Sequence, residues 1–160
     1  MILWLKICFI DIIVILKEFY LFMSKIIILS VDKKDQKNIE LELLKSKILY
    51  TNPAIIPDEY IGLYCVQLLN VQPSYRCRNM YEIINGNNER KGFLSFIYFL
   101  KNNLLTIANE IHLCIQWDGD ENEEINDIYE QRKINLFSFE FPEDEFEFEF
   151  NVDYIFVYEE

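Results

Sequence analysis

The stretch PEDEFEFEFNVDYIFVY, residues 142–158, alternates carboxylates with aromatic rings. In an extended strand, residues two apart share a face. Glu143, Glu145, Glu147, Glu149 and Asp153 then line one face, and Phe146, Phe148, Phe150, Val152, Tyr154, Phe156 and Tyr158 the other. Successive carboxylates stand about 6.7 Å apart, twice the strand rise. A stiff row of this spacing suits a groove lined with Arg and Lys, or a surface that otherwise takes phosphates. Like charges on an outer strand also discourage edge-to-edge aggregation, which a phenylalanine-rich strand invites. The aromatic face must be covered, because each ring contributes roughly 1.5–3 kcal/mol on burial. Beyond Asp153 the outer positions turn apolar, at Ile155 and Val157, so the strand is expected to start wet on one face and end buried on both.

A second group of carboxylates lies in DGDENEE, residues 118–124: Asp118, Asp120, Glu121, Glu123 and Glu124. It resembles the opening of an EF-hand loop. Glu123, however, stands where that loop needs Gly, and Tyr129 where it needs a bidentate Glu, so EF-hand calcium binding is excluded.

The single histidine, His112, shares a strand face with Cys114 two residues on. A Ser-His-Asp or Cys-His relay would have to use it. A zinc site needs about four ligands at recognisable spacing, and these two residues supply at most half. Neither a P-loop nor a G-x-G-x-x-G motif occurs. No cofactor is expected.

Charge narrows the partner. The net charge is -12, and residues 118–160 hold sixteen acids against two bases, Arg132 and Lys133. The field of that quarter repels nucleic acid and attracts basic partners, besides keeping the protein dispersed. The basic pairs Arg76/Arg78 and Arg90/Lys91 are too small for a nucleic-acid reader against this balance. Cys8, Cys65, Cys77 and Cys114 are scattered with no C-x-x-C spacing, which points to reduced thiols and a cytoplasmic location.

These residues need elements to hold them. With 160 residues and 51% hydrophobic content, one well-packed domain is expected. The first 22 residues are the most apolar stretch, but Lys6, Asp11, Lys17 and Glu18 interrupt it. They read as an extension ahead of a start at Met23-Ser24-Lys25, as a membrane-associated helix, or as a helix packed on the domain. A chain beginning at Met23 is expected to fold alone.

Residues 25–31 predict a buried strand, and 32–35 a polar turn. Residues 36–50 fit either a strand, alternating at Ile39, Leu41 and Leu43, or a helix. Pro57-Asp58-Glu59 suits a helix start, although 60–69 fits a buried strand equally well. Pro73-Ser74 predicts a short helix through Ile84, stopped by Asn85-Gly86. Phe93, Phe96, Ile97, Leu100 and Leu104 mark one face of a longer helix. Residues 110–117 alternate as a strand, with Ile111, Leu113, Ile115 and Trp117 opposite His112, Cys114 and Gln116. Residues 136–141 and 145–158 predict an antiparallel C-terminal β-hairpin.

The expected fold is a single α+β domain over 23–160. Its sheet is mainly antiparallel and includes that hairpin, with two or three helices on one face. The expected function is that of a small acidic binding protein that neutralises a basic protein such as a toxin or nuclease, as immunity proteins and phage-type inhibitors do. Its contact residues would be Glu145, Glu147, Glu149 and Asp153 with Asp118, Asp120, Glu121, Glu123 and Glu124. Two further classes are open: a membrane-associated protein using residues 1–22, and a small hydrolase using His112 and carboxylates.

Overall fold

The computed structural model describes residues 25–117 and 127–160. Expectations for residues 1–22 and for the acids of 118–124 lie outside the described residues. Mixed α and β elements build a six-stranded, mostly antiparallel sheet with helices over one face.

The sheet contains β1 (Lys25–Val31), β2 (Tyr50–Thr51), β3 (Tyr64–Leu68), β5 (Ile111–Trp117), β6 (Glu130–Asn135) and β8 (Val152–Val157) in the order β2-β3-β1-β5-β8-β6. A separate two-stranded ribbon joins β4 (Ser74–Arg76) to β7 (Glu145–Glu147). The helices are α1 (Gln36–Lys45), α2 (Met80–Asn85) and α3 (Asn88–Asn102).

Strand alternation sorts the two faces. In β1, Ile27, Leu29 and Val31 face a core shared with Ile39 and Leu43 of α1 and Phe93, Phe96, Ile97 and Leu100 of α3. Ile28 faces the other way, into a smaller cluster with Tyr60 and Cys114. Residues 36–45 are helical because Ile39 and Leu43, four apart, are the positions that bury, while Leu41 points outward. The helix α3 follows its predicted stripe and is capped by the Asn87 side chain, which accepts from the Arg90 N–H at 2.9 Å.

The helix predicted from Pro73 starts later. Residues 74–76 are a strand, and α2 begins at Met80 behind the Asn79 cap, ending at Gly86 with φ 88°. Residues 58–60 form a single 3-10 turn that delivers Tyr60 to the sheet, and the strand predicted within 60–69 runs from Tyr64 to Leu68.

The predicted C-terminal hairpin does not form. Leu136 is buried, but 137–141 lie outside any strand, and the strand in that region is β6, just upstream. It pairs with β8 in parallel, Glu130 opposite Val152 and Asn135 opposite Val157. A parallel pair needs a crossover, which residues 136–151 supply by leaving the sheet, pairing with β4 and returning. The long ribbon read from the alternation is therefore two strands. Asn151, at φ 57°, turns the chain between them, a conformation Asn tolerates better than most residues. Its N–H bonds the Ile115 carbonyl at 2.9 Å and its carbonyl accepts from the Tyr129 N–H at 3.1 Å.

Candidate functional site

Two groups of the residues singled out above are brought together, and they do different things. The first is the carboxylate row. Glu145, Glu147 and Glu149 are exposed, as the alternation requires, while Phe148 is buried beneath them. Phe148 lies among Phe93, Phe146, Tyr154 and Phe156, with ring centroids 4.7–6.0 Å away.

Each carboxylate of the row has a cation of this chain beside it. Glu145 meets Arg76 at 3.3 Å and Glu147 meets Lys25 at 2.5 Å. Glu149 takes two prongs from Arg132, at 2.6 and 3.1 Å. Arg132 also grips Glu130 at 2.6 and 2.9 Å, holding that carboxyl below its ordinary range. Exposed pairs of this kind contribute about 0–1 kcal/mol and exchange readily for another partner. Along the turn that leads into the row, Glu140, Glu143 and Asp144 are exposed and form no ion pair among the described residues.

Trp117 pairs with Lys25 across the sheet and packs edge-on against Phe150 at 5.1 Å. Lys25 is the residue that holds Glu147.

The second group forms around Asp153, expected on the wet face with the glutamates but fully buried here. The turn at Asn151 puts Asp153 into β8, between β5 and β6, and the 3-10 turn at Asp58–Tyr60 covers that face. The Tyr60 hydroxyl donates to Oδ1 at 2.7 Å, and Gln131 Nε2 donates to Oδ2 at 3.0 Å. His112 Nδ1 lies 2.9 Å from Oδ2, and its Nε2 lies 3.3 Å from Glu110. The Tyr60 ring also stands edge-on to the imidazole, 5.7 Å between centroids.

Burial pulls the His112 pKa down, but the hydrogen bond and charge of Asp153, helped by Glu110, more than offset it and the net shift is upward. When protonated, the imidazole is clamped between two carboxylates. Tyr60 is pushed far up by burial and by Asp153, so it remains a hydrogen-bond donor.

Aspartate on Nδ1 is the base half of a hydrolytic relay. The nucleophile half is not assembled among the described residues. The Cys114 thiol, on the same face, is pushed up to about 12 by burial and by the Asp153 charge, and stays protonated. The Ser30 hydroxyl, across the ladder from His112, donates to Cys65 Sγ at 3.1 Å. As it stands, the arrangement fixes the turn at Tyr60 to strands β5, β6 and β8.

Sequence reasoning passed over this network, although a signal existed. Asp153 is a lone carboxylate within VDYIFV, and a charge inside an apolar strand has to be buried and paired. The only histidine in the chain is the natural partner to look for.

Cys65, Cys77 and Cys114 are free thiols, and no helix among the described residues is long and apolar enough to cross a membrane. Among the same residues, no group of three or more His, Cys, Asp or Glu side chains could hold a metal ion. Compared with known proteins, the chain matches no protein-family model, no curated protein and no solved structure.

Proposed function

We propose that this chain is a small cytoplasmic binding protein that captures and neutralises a basic protein, in the manner of a toxin-immunity protein or a phage-type inhibitor, with no catalysis of its own. The observation that supports it most is the exposed acidic run from Glu140 to Glu149 on a structured turn and ribbon. Charges held on such a frame lose less entropy on binding than charges on a loose tail. Asp153 is no part of the contact surface, because it is spent inside the fold. The cations beside Glu145, Glu147 and Glu149 are exposed enough to yield to a partner's arginines.

The test uses rapid-mixing kinetics against basic proteins, beginning with the product of the neighbouring gene, at low and physiological salt. Steering by this field predicts fast association that slows steeply as salt rises. Changing Glu145, Glu147 and Glu149 together to Gln, with folding confirmed by thermal melt, should slow association. Gln is preferred to Lys here, since Lys would repel Arg76, Lys25 and Arg132 and disturb the ribbon itself. An on-rate and salt slope unchanged by the triple substitution would leave the row as a solubility device.

A further inference from the structure

The crossover that replaces the predicted hairpin leaves aromatic rings in solvent. Phe137 is 52% exposed, Phe139 41% and Tyr158 41%. They pack in two pairs, one of which reaches the core. Phe137 stands edge-on to Tyr158 at 5.7 Å, and Phe139 packs on Phe141 at 4.7 Å, which in turn reaches the buried Phe93 at 5.0 Å. The backbone beneath is pinned, since the Asn135 side chain bonds the Glu159 carbonyl at 2.7 Å, the Glu159 N–H at 3.1 Å and the Phe137 N–H at 3.0 Å. These rings are therefore presented on a fixed frame.

Acids border the rings. Glu140 follows Phe139 directly, and Glu159 and Glu160 follow Tyr158. The Glu159 carboxylate is taken by Lys133 at 3.0 Å, whereas Glu140 and Glu160 are exposed with no ion pair among the described residues. A cation already sits on this surface: Lys101 Nζ lies over the Tyr158 ring, 4.9 Å from its centroid.

Aromatic faces bordered by carboxylates fit one chemistry best. A guanidinium can lie flat on a ring and still reach a carboxylate with its edge, whereas a lysine ammonium such as that of Lys101 meets the ring as a more strongly hydrated point charge and gains less from the pairing. We propose that Phe137, Phe139 and Tyr158, with Glu140 and Glu160, form a docking surface for an arginine-bearing segment of the basic partner. The surface rests on the preceding reading for the sign of the partner's charge. It adds a second contact, at the far end of β8 from the carboxylate row, that distinguishes arginine from lysine.

The probes are octa-arginine and octa-lysine peptides, titrated into the full chain at low and physiological salt, with backbone NMR shifts to locate binding. Octa-arginine is expected to bind at least fivefold more tightly and to move the resonances of 137–140 and 158–160. The variant F137A/F139A removes two half-exposed rings, and a thermal melt checks that it folds. It should reduce the arginine preference to near unity while leaving octa-lysine binding in place. An arginine preference that survives F137A/F139A overturns the docking surface. Equal binding of the two peptides to the parent, lost when Glu145, Glu147 and Glu149 become Gln, overturns it too but leaves the acidic-binder reading standing. Failure of both peptides to bind at low salt removes both.

Discussion

Replacing Asp153 with Ala should be among the most damaging single changes in this protein, and its cost can be built from the geometry. Asp153 is fully buried and accepts from Tyr60 at 2.7 Å, His112 at 2.9 Å and Gln131 at 3.0 Å. A hydrogen bond to a charged group contributes about 1.5–3 kcal/mol, but the three do not simply add. Gln131 is exposed and can turn to water. Tyr60, 1% exposed, cannot, and neither can Nδ1 of the half-buried imidazole. Removing one partner of a buried pair costs about 3–5 kcal/mol, and that range applies here. With a urea slope near 2 kcal/mol per molar, the unfolding midpoint should fall by about 2 M.

The same pair sets a pH signature. The folded pKa of His112 is raised above its ordinary 6.5, so its contribution is complete below that value and is lost as pH rises through the folded pKa. Stability of the parent should decline from about pH 6.5 upward on this account, and Asp153→Asn should flatten the decline because the raising charge is gone. Urea melts by circular dichroism between pH 5.5 and 8.5 measure both effects. A loss under 1 kcal/mol for Asp153→Ala, or an identical pH slope in Asp153→Asn, would refute the assignment of this network as a principal tie of the fold.

Other perturbations separate the layers of the structure. Phe148→Ala should cost about 3–5 kcal/mol in a chemical melt, because the ring is 1% exposed and enclosed by other rings. Arg132→Gln should leave the midpoint of the same melt almost unchanged, since its pairs with Glu130 and Glu149 are at the surface. Asn151→Val should destabilise by about 1–3 kcal/mol and Asn151→Gly should cost far less, because φ 57° is poorly tolerated by a β-branched residue. Below the ordinary glutamate range, Glu40 and Glu42, whose pKa values are lowered by hydrogen bonds from Gln36 and Lys45 respectively, should together withdraw support as pH falls. An acid titration that shows no dip in stability on protonating them would count against those bonds.

Residues 25–117 were legible where pattern and burial agree. Ile27, Leu29 and Val31 in β1, the Phe93 stripe of α3 and Ile111, Leu113 and Ile115 of β5 all bury as their spacing demands. The single strand read over 145–158 failed for a physical reason. Alternation fixes which residues share a face, and here it held: Phe148, Val152, Tyr154 and Phe156 all reach one core. It does not fix the partner strand. Nothing local in EFEFEF states that Glu145–Glu147 pairs with Ser74–Arg76, far away in sequence, or that β8 enters the sheet between β5 and β6. Asn151 was the one visible break, and an isolated Asn within an otherwise regular pattern is a weak sign of left-handed backbone.

The same limit accounts for the split of the acidic residues into two roles. Read along the chain, Glu149 and Asp153 look alike, both carboxylates on the outer face of a continuous ribbon. In the fold, Glu149 lies before the Asn151 turn, on the exposed return segment, where a surface arginine answers it. Asp153 lies past the turn in an inner strand, where every neighbour is a strand or the Tyr60 turn. Water can screen the first carboxylate, so it remains available to a partner. The second has no water to return to and must be satisfied at all times by Tyr60, His112 and Gln131. Local alternation thus identified the carboxylates, while the crossover decided which are free to act outward and which hold the protein together.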